Sequence, residues 1–158
     1  MTPDLSSAGL RYRPAYIYKF LQHPIQVRHN IGAARMPGFH FDEREALAVT
    51  LFLMEQKKDV NLAGLPKSLV STSQLDAERL IEEELECTRC HGLNGQGNNT
   101  STDLTDAGAR LNKEWLKNYL VAPRLFDGDD TAMPSFFYQV DASTKNYKPV
   151  TPDASARI

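Results

Sequence analysis

Cys87-Thr88-Arg89-Cys90-His91 is the stretch in which residue types and spacing together specify a chemistry. Two thiols two residues apart, with a histidine directly after the second, form the attachment signature of c-type haem. Over one turn of helix the two sulfurs reach the two vinyl positions on one porphyrin edge, and the next residue aims an imidazole at the iron from the proximal side. Cys87 and Cys90 are therefore candidate thioether anchors, and His91 the candidate fifth ligand. Three other readings compete. A zinc site needs four ligands, whereas the chain has two cysteines and no paired spacing among His23, His29 and His40. A redox disulfide would follow a strand in a βαβ pattern, but the segment before Cys87 has a helical pattern. The plainest reading is two unconnected buried thiols and a chance histidine.

The elements that must position this motif follow from periodicity and punctuation. Gln74 to Glu86 is helical, with Leu75, Leu80, Ile81 and Leu85 on one side and a run of glutamates opposite, a solvated face. It delivers the chain into Cys87. Gly92 to Asp106 is loop. Asn112 is placed to cap a helix carrying Trp115, Leu116, Tyr119 and Leu120, which Pro123 closes. The acidic turn Phe126-Asp127-Gly128-Asp129-Asp130 leads to Met133-Pro134-Ser135-Phe136. Beyond it, Tyr138 to Ile158 has no helical period and reads as an extended segment.

Upstream, Pro14 suits a first helical turn, and Tyr16, Ile17, Phe20 and Leu21 make one apolar face that Pro24 ends. A loop reaches Met36-Pro37-Gly38-Phe39. Asp42 and Glu45 have capping-box spacing, starting a helix through Leu47, Leu51 and Met54 to about Lys57. Residues 59–73 hold Gly64, Pro66 and several Ser and Thr residues, as a linker does.

Composition bounds the function. A chain of 158 residues fits one domain or two very small ones. A formal charge of −2 gives no electrostatic case for nucleic acid. The longest apolar run, Ala46 to Met54, is too short to span a bilayer, and residues 1–7 lack the basic and apolar regions of a signal peptide. Covalent haem attachment nevertheless implies export. The expected location is periplasmic or otherwise extracytoplasmic, peripheral to a membrane complex, with a leader removed or further polypeptide preceding Met1.

One unit is written twice. With Gly9 set beside Gly108, Arg11 meets Arg110, Tyr16 meets Trp115, Leu21 meets Leu120 and Pro24 meets Pro123. After a two-residue difference in length, Met36-Pro37-Gly38-Phe39 meets Met133-Pro134-Ser135-Phe136. The copies are incomplete in opposite ways. The first has the methionine loop and a following helix but no Cys-x-x-Cys-His. The second has that motif and the methionine loop but no helix after it.

On these residues the chain resembles the class I c-type cytochromes. The resemblance implies an all-α fold around one covalently attached haem c, held through two thioethers, with Cys87, Cys90 and His91 as attachment and ligand. It implies Met133 as the distal ligand, with Met36 or one of His23, His29 and His40 as the alternatives. A guanidinium suits a carboxylate bidentately, so Arg110 is a candidate partner of a haem propionate or else a solvated surface arginine, and Trp115 and Tyr119 lie beside the ring or only in the core. Residues 74–137 correspond to a haem-binding unit, residues 1–58 to the C-terminal half of a second unit without haem, and residues 138–158 to a tail. The missing closing helix leaves three arrangements open: a permuted or split single domain, a subunit or fragment of a dihaem cytochrome, or a homodimer or second cytochrome chain completing the first unit. The implied function is one-electron transfer between redox protein partners, without catalysis. The alternatives are a haem subunit of a respiratory or photosynthetic complex, and a haem enzyme or sensor with an open distal site.

Overall fold

The structure, a computed structural model, describes residues 4–25, 36–58, 60, 74–128, 131–140 and 147–149, and local signals set the start of α2 at Pro14 and of α3 at its capping box. The elements run α1 (Ala8–Arg11), α2 (Pro14–Gln22), α3 (Glu43–Met54), α4 (Gln74–Arg79), a π-helical turn (Leu80–Glu84) and a 3-10 turn (Cys87–Arg89). The hairpin β1 (Gly92–Leu93) and β2 (Gln96–Gly97) follows, then α5 (Ala107–Arg110), α6 (Lys113–Val121) and α7 (Arg124–Asp127). Last comes the hairpin β3 (Tyr138–Val140) and β4 (Tyr147–Pro149). The fold is mainly helical, and the expectation of an all-α chain is amended by these two hairpins. β3 and β4 pair antiparallel with Gln139 opposite Lys148, so the described part of the C-terminal segment is extended through strand pairing. The linker expected at 59–73 lies outside the described residues apart from Val60.

The chain divides into two compact units. One comprises Met1–Asp59 with Leu80–Lys113, the other Val60–Arg79 with Glu114–Ile158.

In the first unit, α3 begins with the expected capping box. Asp42 Oδ1 accepts from the N–H groups of Arg44 and Glu45, each at 2.8 Å, and the Glu45 carboxylate accepts from the Asp42 N–H at 3.0 Å. Three N–H groups at the helix start are thereby satisfied. The helix ends at Met54 rather than near Lys57, because the chain beyond it turns to bond elsewhere. The Gln56 carbonyl accepts from Gly9 N–H at 2.9 Å, and Lys58 N–H donates to the Ser6 carbonyl at 2.8 Å.

Ile17 and Leu21 of α2 pack on Ala46 of α3 as the core of this unit, ringed by Tyr12, Tyr16, Met36, Phe41, Val49 and Leu53 among others. The buried face of α3 is not the expected stripe. Ala46 and Thr50 are buried, while Leu47 and Leu51 stay 50% and 57% exposed. Small side chains at the contact let two helices approach closely, and the Thr50 hydroxyl is satisfied by donating to the Ala46 carbonyl at 2.7 Å.

The repeat is repeated in backbone geometry. α1 and α5 are both four-residue turns, closed by N–H bonds from Tyr12 to the Ala8 carbonyl and from Leu111 to the Ala107 carbonyl. Tyr12 and Leu111 are both extended, at φ −106°, ψ 153° and φ −101°, ψ 150°. α2 and α6 each then run nine residues. Moreover, the two corners pair with each other. Tyr12 and Leu111 form an antiparallel bridge, with Arg13 N–H donating to the Arg110 carbonyl at 3.0 Å and Asn112 N–H to the Arg11 carbonyl at 2.8 Å. Matching positions exchange matching bonds, as a local two-fold axis requires.

The second unit centres on aromatic packing. Trp115 stacks on Tyr119 at 4.9 Å and meets the edge of Phe126 at 5.4 Å. The Tyr119 hydroxyl donates to the Asp127 carboxylate at 2.7 Å. Val121, Ala122 and Pro123 are buried beneath the end of α6.

Candidate functional site

The approach to the cysteines is a helix brought to a stop. In the π-helical turn the Leu85 N–H reaches back to the Leu80 carbonyl at 2.8 Å, a wider loop than the α pitch, of a kind found often at functional sites. Glu86 then takes the left-handed conformation, φ 48° and ψ 41°, which no helix continues through. A one-turn 3-10 helix carries the motif itself. His91 N–H and Cys90 N–H both donate to the Cys87 carbonyl, at 3.0 and 3.2 Å. The turn of helix expected between the thiols is thus present in its tighter 3-10 form. Both cysteines are free, Cys87 half-buried and Cys90 exposed. Burial pushes the Cys87 thiol above its ordinary pKa, and Cys90 beside it adds to the effect.

Residues 98–105 wrap this turn through backbone bonds. Asn98 N–H donates to the Thr88 carbonyl, Ser101 N–H to Cys90 and Leu104 N–H to Gly92, all at 2.8–2.9 Å. Gly97, at φ 83°, permits the wrap: a side chain there would strike the carbonyls of His91 and Thr88. The wrap places the Thr102 carbonyl 2.6 Å from His91 Nδ1. A carbonyl only accepts, so Nδ1 carries the proton and the Nε2 lone pair is left for a metal. This is the second-sphere arrangement that orients ligating histidines and raises their basicity. Two free thiols on one turn and an imidazole with its tautomer fixed fit a covalently attached haem. Among the described residues no cluster of three or more His, Cys, Asp or Glu side chains is arranged for a metal ion.

The other sequence-derived candidates fall as follows. Arg110, in the first unit, is buried, 6% exposed, and donates from Nη2 to the Asp103 carbonyl at 3.3 Å. Its guanidinium also faces Tyr16, whose hydroxyl pKa is raised by burial, an effect that the guanidinium charge offsets only in part. Trp115 and Met133 belong to the second unit. Trp115 is buried in the aromatic cluster, and Met133 is half-buried in a loop where its N–H donates to Thr131 Oγ1 at 3.3 Å. Met36 packs against the Ile17–Leu21–Ala46 core. His23 and His40 are exposed, and His29 lies outside the described residues. Glu82, Glu83, Glu84 and Glu86 are exposed, Glu86 pairing with Arg89 at 2.7 Å. Sequence reasoning missed Thr102, Asp103 and Tyr16. The first two act through backbone carbonyls, which leave no trace in residue type, and Tyr16 was read as part of an apolar face and as the counterpart of Trp115 rather than as a partner of Arg110.

Comparison with known proteins adds the following. Residues 76–149 match the family model for cytochrome c. The chain is also similar to the cbb3-type cytochrome c oxidase subunit CcoP of Helicobacter pylori, at 29% identity over 111 residues, which are 68% of this chain and 35% of that protein. The corresponding subunit of strain 52 matches at the same identity, over 34% of its length. The chain thus spans about a third of the length of the curated relatives it matches. No solved structure matches it.

Proposed function

We propose, from the premise that residues 76–149 are a c-type cytochrome domain, that the chain carries single electrons between protein partners through one covalently attached haem. The observation that carries this reading is the fixed His91 tautomer beside the two free thiols. Cys87 and Cys90 are the thioether anchors, and His91 offers Nε2 as the proximal ligand. The bound haem supplies ferric–ferrous one-electron chemistry at a potential set by its ligands and surroundings. The chain's contribution is to hold the imidazole in one orientation and to keep Nδ1 protonated against Thr102.

The sequence supplies the sixth ligand as Met133. Met133 would hold a bound haem iron as a thioether ligand, which would raise the potential relative to a second histidine and suit a carrier rather than an enzyme. Arg110 is buried with Nη2 directed at the Asp103 carbonyl, and its remaining guanidinium donors suit a haem propionate. We read residues 1–58 as the latter half of a second cytochrome unit and residues 74–137 as the haem-bearing unit. Similarity to an oxidase subunit supports a place in an extracytoplasmic, membrane-associated respiratory assembly, where the partner is another redox subunit. Among the described residues no helix is long and apolar enough to cross a membrane.

The test is expression with a haem-attachment system, followed by a denaturing gel stained for haem and a redox titration. The reading requires covalent haem and a one-electron Nernst curve. A protein that loses all haem on denaturation contradicts it.

A further inference from the structure

Arg110 is a charged side chain almost wholly buried, and its bonds run in two directions. Its carbonyl accepts from Arg13 N–H at 3.0 Å, and Arg13 Nε donates to the adjacent Leu111 carbonyl at 3.1 Å. Both bonds come from the copy that lacks a haem motif. In the other direction its guanidinium reaches the Asp103 carbonyl, one residue beyond the Thr102 carbonyl that holds His91 Nδ1. Burying a guanidinium is costly unless its donors are used, so the contact is a commitment of structure. Asp103 is held further: its carboxylate accepts from Thr105 N–H at 2.7 Å, fixing the turn beyond it.

We infer that Arg110, clamped from the haem-less copy by Arg13, is a positioning residue for His91, holding in place the peptide segment whose carbonyl fixes the imidazole. The first copy then has a defined task in the second: it makes the proximal hydrogen bond rigid. This inference rests on haem binding at His91. A firm Nδ1–H···O=C bond makes the imidazole a stronger electron donor to a bound metal and so favours the oxidised state. Loosening that bond raises the reduction potential, whereas simple loss of a nearby positive charge lowers it. The two effects have opposite signs.

The experiment compares the haem-loaded full chain with Arg110→Lys, which keeps the charge but loses the planar fork, and with Arg13→Pro. Arg13 already has φ −78° and ψ 136°, so proline fits there while removing both clamping donors. Two quantities are read: hydrogen exchange of the hyperfine-shifted His91 Nδ1–H by NMR, and the reduction potential. Arg110→Lys is expected to accelerate exchange about fivefold, the loss of roughly one ordinary hydrogen bond, and to raise the potential. Arg13→Pro is expected to accelerate exchange by less, and because it also removes a positive charge only its exchange rate is read. Wild-type exchange in both variants overturns the inference, as does a potential that moves while exchange does not, since that identifies a purely electrostatic role. If Arg110→Lys fails to retain haem, the Arg13→Pro exchange rate decides alone. A wild-type chain without covalent haem overturns the haem reading itself, a result distinct from either of these.

Discussion

Residues 8–22 and 107–121 carry the same framework into opposite circumstances. Each has a four-residue turn, an extended corner and a nine-residue helix. At Gly9 the framework is closed by α3: a Cβ there would collide with the Met54 carbonyl, and the N–H is bonded to Gln56. At the matching Gly108 a Cβ would meet nothing within 4 Å among the described residues. The copy with the closing helix has Met36 in its core, and the copy with the attachment motif has Met133 in a loop. The same backbone unit is thus present in both copies although the features flanking it differ. Reciprocal bonds between the Tyr12 and Leu111 corners give a physical reason, because each copy satisfies donors and acceptors of the other.

The comparison is broken most severely at the motif. Replacing Cys87 and Cys90 together by alanine is expected to abolish haem staining on a denaturing gel while leaving α2 and α3 folded by circular dichroism. Loss of the helical signal as well would mean that the first copy depends on the second for its fold. Next in size is Gly9→Ala, where backbone rather than a flexible side chain must yield. Overpacking of this kind costs about 1–3 kcal/mol, read as a lower denaturant midpoint. Met36→Ala is expected to cost about 2 kcal/mol by removing core packing, with no change in the ligand spectrum. Met133→Ala should do the reverse, changing the spectrum more than the stability. The smallest effect sharpens the contrast: Gly108→Ala, in an open helical turn, should stabilise by up to about 1 kcal/mol. A destabilisation there would show that another segment occupies that face.

The attachment motif was legible because its meaning lies in local spacing, and the start of α3 because Asp42 and Glu45 encode a cap. The helices α2 and α6 were legible from periodicity and their bounding prolines. The orientation of α3 was not. It carries two apolar stripes, and only the position of α2 decides that Ala46 and Thr50 turn inward while Leu47 and Leu51 stay outside. The π-helical turn before Cys87 was hidden because Leu80 to Glu84 reads as ordinary helix. The repeat itself was visible, but the pairing of its copies was not, since Arg13, Arg110 and Asn112 pair through peptide groups that every residue has. The same holds for Thr102 beside His91. Contacts made by backbone carbonyls are set by tertiary arrangement alone.

The central proposal is a haem ligated by His91 and Met133, and its most direct test is the absorption spectrum of the purified ferric protein. A low-spin spectrum with the weak long-wavelength band of methionine sulfur on iron, lost in Met133→Ala, is the predicted result. A high-spin spectrum, or a low-spin one without that band, would contradict the closed His91–Met133 carrier.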